Sequence, residues 1–220
     1  HEFAFHRMSE LLQIEDSSIF SSIMISLREL INIPPEPTSF PIPPDLLFSS
    51  MLKILTVSVD EMEKNNSAYS SMIEAKEKSL LLITDMLRIK PHVIAPFLSN
   101  LVQLIINHMH INKYSTQKAA LKATIAMTKL LNSTTGQEEL LGHIMEKLLE
   151  FLINNIESRK PKIVSLTFYG VSKLIKLGIQ LHEETLKLIV SSAFLGLDSS
   201  LNCQQSLKCQ IISNVELDDV

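Results

Sequence analysis

The 220-residue sequence has no tryptophan, only five glycines, only two cysteines and no long uninterrupted apolar run. Each shortage removes a class of protein. Lys, Glu, Asn or His breaks every hydrophobic stretch before about 18 residues, so the positive mean hydropathy of +0.19 does not announce a membrane-spanning helix. Five glycines leave little material for tight active-site turns, and phosphate-cradling loops, nucleophile elbows and His-Glu-x-x-His helices are all missing. Cys203 and Cys209 stand six apart, a spacing that fits neither a zinc site nor a disulfide framework. They read as packing residues of a reduced intracellular protein, in cytoplasm or nucleus. No secretory signal is present, and His1, Glu2 and Phe3 look like the scar of a tag and cloning site, so they are set aside.

What is present is a chain able to bury a continuous core, with 45% hydrophobic and 20% charged residues. The formal charge of −4 is too small to name a partner by itself. Apolar residues recur with helical period nearly everywhere, while the alternation of β-branched and aromatic residues typical of half-buried strands is almost absent. The expected class is all-α. An N-terminal helical segment over 4–32 holds helices at 5–12 and 17–31, and a proline-dense connector follows over 33–45, from Ile33 through Pro34, Pro35, Pro37, Pro41, Pro43 and Pro44. Its prolines keep the backbone extended and deny it helix hydrogen bonds, which makes it a spacer.

Beyond the connector, first helices are expected at 46–63, 92–108, 137–156 and 182–196, and second helices at 69–89, 116–131, 162–177 and 201–213. The first helices start at 46, 92, 137 and 182, which are 46, 45 and 45 residues apart. Stripes such as Phe97, Leu101, Leu104 and Ile105, or Ile144, Leu148, Leu149, Leu152 and Ile153, read as core. Each such residue contributes on the order of 1.5–3 kcal/mol when buried. The nine methionines read as gap-fillers between helices.

A period in the mid-forties, made of two helices and two short turns, is that of HEAT and armadillo arrays. The segment from Gln117 through Lys118, Ala119, Ala120, Leu121 and Lys122 to Leu130 resembles the second helix of a HEAT repeat: a polar start, alanines for close approach, then spaced aliphatics. Lys162, Ile163, Val164, Ser165 and Leu166 through Lys173, Leu174 and Ile175 repeat the scheme 45 residues later, and Pro91 and Pro161 sit where a helix begins. Residues 46–214 are therefore similar to the HEAT/armadillo superfamily, although the Asp and Arg ladder of the best-formed HEAT arrays is missing. The resemblance implies an α-α superhelix, a solenoid of about four pairs at 46–91, 92–136, 137–181 and 182–214. An acidic tail, 215–220, follows. It shows no evident capping helix, as expected of a module from a longer protein.

Candidate chemistry reduces to structure in each case. His108 and His110 are two apart on a helix end and point in different directions, which suits hydrogen bonding or solvation better than a metal. Glu183 and Glu184 beside His182, like Glu138 and Glu139 one repeat earlier, are acids where a helix dipole favours them. No catalytic residue, cofactor or metal ligand is expected.

Charge, in contrast, is segregated. Lys118, Lys122, Lys129, Lys162, Lys173, Lys176 and Lys208 fall on second helices, and no Asp or Glu occurs in 115–131, 161–178 or 199–214. Asp60, Glu61, Glu63, Glu138, Glu139, Glu146, Glu150, Glu183 and Glu184 fall on first helices. The HEAT resemblance implies second helices along the concave face, hence a basic strip suited to an acidic or phosphorylated partner segment. The candidate contact residues are Lys122, Lys129, Lys173, Lys176 and Lys208, with Arg159 and Lys160 in the turn before the 162–177 helix. A nucleic-acid or chromatin-associated solenoid ranks below a protein partner, because arginines and base-stacking aromatics are few. A third alternative is the regulatory helical region of a large enzyme.

Overall fold

A computed structural model describes residues 2–14, 16–32, 42–58, 67–134, 136–156, 160–178, 183, 186, 187, 190 and 191. Among these every regular element is helical: α1 (Glu2–Leu11), α2 (Ser17–Ile31), α3 (Pro44–Thr56), α4 (Ser67–Ile89), α5 (Pro91–Ile94), a 3-10 turn (Ala95–Phe97), α6 (Leu98–Met109), α7 (Tyr114–Asn132), α8 (Glu138–Ile156) and α9 (Pro161–Lys176). The all-α class is thereby established for the described residues. None of their helices is long and apolar enough to cross a membrane.

The helix starts follow local chemistry. Asp16 caps α2, its Oδ1 accepting from the backbone N–H of Ser18 at 2.8 Å and of Ile19 at 3.1 Å. Pro44, Pro91 and Pro161 open α3, α5 and α9, where a missing N–H costs nothing. Three expectations need adjustment. The helix expected over 46–63 ends at Thr56, and Val57 turns the backbone out of the helix at ψ 124°. α1 already includes Glu2 and Phe3, two of the residues set aside as a scar. The helix expected over 92–108 is broken, because Pro96 offers no N–H and its ring crowds the carbonyl four residues back. The chain tightens into 3-10 geometry over Ala95–Phe97 before α6 resumes the helix at Leu98. Phe97 thereby leaves the α6 stripe and stacks on Phe48 of α3, ring centroids 4.2 Å apart.

The chain divides into two compact units, 1–144 and 145–220, with the boundary inside α8. In the first unit α4 is packed by α2, α3, α5 and α7, while α6 packs on α7 and on α3. α4 can meet so many neighbours because it buries two stripes, Ile73, Leu80, Ile83 and Leu87 on one and Ala75, Ser79, Leu82 and Met86 on the other. Two polar ties join it to α2: Ser18 Oγ to Ser71 Oγ at 3.3 Å, and Arg28 Nε to Asp85 Oδ2 at 2.7 Å. Both partners advance along the sequence together, so α2 and α4 run parallel. The residues on either side of the proline connector thus share one core.

The alanines expected to allow close approach, Ala119, Ala120 and Ala123, are buried on α7. Four buried hydroxyls of α4 and α7 are satisfied within their own helix: Ser79, Thr84, Thr124 and Thr128 each donate to the carbonyl four residues earlier at 2.7–2.9 Å. In the second unit Leu148, Phe151 and Leu152 of α8 are buried, as are Ile163, Leu166, Val171 and Leu174 of α9. The helix at 201–213, the span 33–41 of the connector, Cys203, Cys209 and the acidic tail lie outside the described residues, as does most of 182–196.

Asp16→Ala should lower stability by about 1 kcal/mol, because two backbone donors of α2 lose their acceptor, whereas Asp16→Asn should retain most of it. Urea unfolding of the three proteins checks the order.

Candidate functional site

The lysines singled out in the sequence sit on two helices of different units. On α7, Lys118 and Lys129 are exposed and Lys122 is half-buried. Spacings of four and seven residues place all three along one side of that helix. On α9, Lys162 and Lys176 are exposed and Lys173 is half-buried, and Lys160 is exposed at the N-cap. Lys173 reaches back one turn, its Nζ 5.3 Å from the centroid of the Tyr169 ring, where the π-face favours a cation. Arg159 and Lys208 lie outside the described residues.

The acidic first turn of α8 has a local structural role. Glu138 Oε1 accepts from the Gly136 N–H at 3.1 Å, and backbone N–H donors, its own and that of Gly136, hold the exposed carboxyl below its ordinary range. Gly136 itself takes φ +82°, a left-handed conformation that suits glycine in the turn before the helix. Among the described residues no three His, Cys, Asp or Glu side chains converge to hold a metal ion.

A different pair carries the unusual chemistry. Lys76 of α4 is 1% exposed, and its Nζ donates to the Leu55 carbonyl of α3 at 2.9 Å. Leu55 lies in the last turn of α3, whose carbonyls have no helical donor, and the negative end of the helix dipole favours a cation there. The same Nζ lies 3.3 Å from Nε2 of His108, which is 3% exposed on α6. His108 Nδ1 is 2.6 Å from the Leu104 carbonyl. A carbonyl only accepts, so Nδ1 carries the proton and Nε2 presents its lone pair to Lys76. One ammonium therefore joins α3, α4 and α6. Of the two histidines considered as a metal pair, His108 is buried in this contact and His110 is exposed.

Burial sets the titration of both groups. It pushes Lys76 down to about 8, and no carboxylate among the described residues offsets the cost. It pushes His108 down to about 4, helped by the neighbouring Lys76 charge and opposed by the bond to Leu104.

The sign of the pH dependence follows. In each case the unfolded chain keeps a proton that the folded chain has already released, so stability rises with pH across the gap. The urea midpoint should climb between pH about 4 and 6.5 through His108, and again between about 8 and 10.5 through Lys76. Lys76→Met should abolish the upper climb; an unchanged climb would assign it to another group.

No protein-family model matches the sequence, and no curated protein is significantly similar to it. Among solved structures, the chain is similar to the crystal structure of an engineered protein from the Northeast Structural Genomics Consortium, with a TM-score of 0.53 at 13% identity. The match covers 94% of this chain and 74% of that one, and at such low identity it speaks to the helical fold alone.

Proposed function

We propose that this chain is a non-catalytic helical-repeat scaffold of the HEAT/armadillo kind, part of a larger intracellular protein. In this reading the helix pairs stack into a superhelix, and an acidic or phosphorylated segment of a partner protein lies along the lysines of the second helices. The neighbour relations within the first unit support the stack: α4 touches α2 and α7, α3 packs on α4 and α6, and α6 packs on α7. Each pair in such an array covers the apolar face of the next.

The observation that carries the binding surface is the sign of α7. Lys118, Lys122 and Lys129 share one side of it, and 115–131 contains no Asp or Glu. α9 has the same character, with Lys162, Lys173 and Lys176 and no acid in 161–178. Charges of one sign raise the rate of encounter with an oppositely charged segment and weaken as salt is added.

The test is fluorescence anisotropy with three labelled probes: a Glu-rich peptide, a phosphoserine peptide and a DNA duplex. The variant carries Lys129→Glu, Lys173→Glu, Lys176→Glu and Lys208→Glu, and circular dichroism checks that it stays helical. Salt-sensitive binding of either peptide, weakened about tenfold or more (1.4 kcal/mol) by the reversal, is the expected outcome. Equal binding by both proteins would remove these lysines from the surface. Binding of the duplex alone would move the assignment to nucleic acid.

A further inference from the structure

The buried Lys76–His108 contact lies within the first unit, and the proposed binding function does not use it. Its bonding has a consequence that depends on which partner titrates. In the closed arrangement Nζ donates to two acceptors, the Leu55 carbonyl and the His108 Nε2 lone pair. Protonating the ring converts Nε2 from acceptor to donor and sets a second cation 3.3 Å from the first, away from water. Two like charges at that range in a low-dielectric interior repel strongly, so one must withdraw. Deprotonating Lys76 has no such effect, because a neutral amine still carries two N–H bonds for the same two acceptors.

We propose that the Lys76–His108 contact is a one-way acid latch at the junction of α3, α4 and α6, opened by protonation of the His108 ring and left closed when Lys76 loses its proton.

The surroundings keep this switch simple. On α4 itself Glu74 and Arg88 are exposed, Tyr69 is half-buried, Glu77 and Lys78 lie 3.9 Å from each other, and Asp85 is taken by Arg28 of α2. Glu29 of α2, Asp45 and Lys53 of α3 and His92 of α5 are exposed. α7 turns only Tyr114 and Lys122 partly inward, with Lys118 and Lys129 exposed, and Lys90, at the start of α5, is buried. α6 contributes only His108. Burial alone sets Lys76, and Lys76 is the one charge that bears on His108.

Opening is local. When Nζ withdraws, the last turn of α3 loses its donor at Leu55, yet the polar ties joining α2 to α4 involve neither group. The apolar stripes of α4, the Arg28–Asp85 pair and the Ser18–Ser71 bond persist.

The experiment is hydrogen exchange on the full chain, corrected for intrinsic rates, with an NMR titration of the His108 ring. Between pH 6.5 and about 4 the amides of 52–56 should lose protection while those of α4 and α7 keep theirs. Between pH 8 and 10.5 they should not change. His108→Gln keeps an acceptor near the Nε2 position and cannot be protonated, so it should remain closed in acid. Lys76→Met should leave 52–56 poorly protected at every pH. Acid loss in His108→Gln equal to that of the wild type would overturn the latch, as would loss spread evenly over α4 and α7. The ring titration needs no variant: a His108 that protonates near 6.5 with 52–56 unchanged would also overturn it.

Discussion

The first unit depends on one helix being buried on more than one side. α4 meets α2, α3, α5 and α7, and it can do so only because small residues, Ala75 and Ser79, interleave with Leu80, Leu82, Ile83 and Met86 around its circumference. Buried on two adjoining stripes, with Glu74 and Arg88 exposed on the remaining side, α4 is flanked by more neighbours than a helix with a single apolar stripe could be. Its neighbours need only one apolar stripe each, as in α2, where Phe20, Ile23, Met24, Leu27 and Ile31 follow the helical period.

That constraint explains why a lysine could be placed inside. At position 76 the stripe running from Ile73 to Leu80 requires a long side chain with an apolar stem, and lysine supplies four methylenes before its charge. The ammonium then arrives at the Leu55 carbonyl, which lacks a helical donor at the α3 terminus, and His108 accepts a second bond. Burial without a carboxylate has a cost, on the order of 3 kcal/mol for the shift from 10.5 to about 8. Such a cost is tolerable where the site also satisfies a helix end that apolar packing alone would leave unpaired.

Much of the secondary structure was legible because its signals are local. The helical period expected over 17–31 matches α2 end to end, and the structure adds Asp16 as its cap. The alanines of α7 and Pro161 before α9 marked those helices equally well. Pro96 lies a turn inside the helix expected over 92–108, where it acts as a breaker, and Phe97 goes with the 3-10 segment to meet Phe48. The Lys76–His108 pair is not legible in the sequence, although each residue occupies an apolar-stripe position: Lys76 between Ile73 and Leu80, His108 after Leu101 and Ile105. Spacing announced two polar residues in core positions. It could not say that they meet across 32 residues of sequence, because that depends on how α4 and α6 are brought together. The exposed lysines of α7, in contrast, needed nothing beyond their own helix to be placed on one side.

The residues before the proline connector and those after it form one core around α4. Leu27 of α2 is fully buried in it, and Leu27→Ala should remove about 2–5 kcal/mol. Hydrogen exchange in low urea locates the loss. A shared core requires α4 and α7 to lose protection together with α2; loosening confined to α2, with α4 and α7 unchanged, would contradict it.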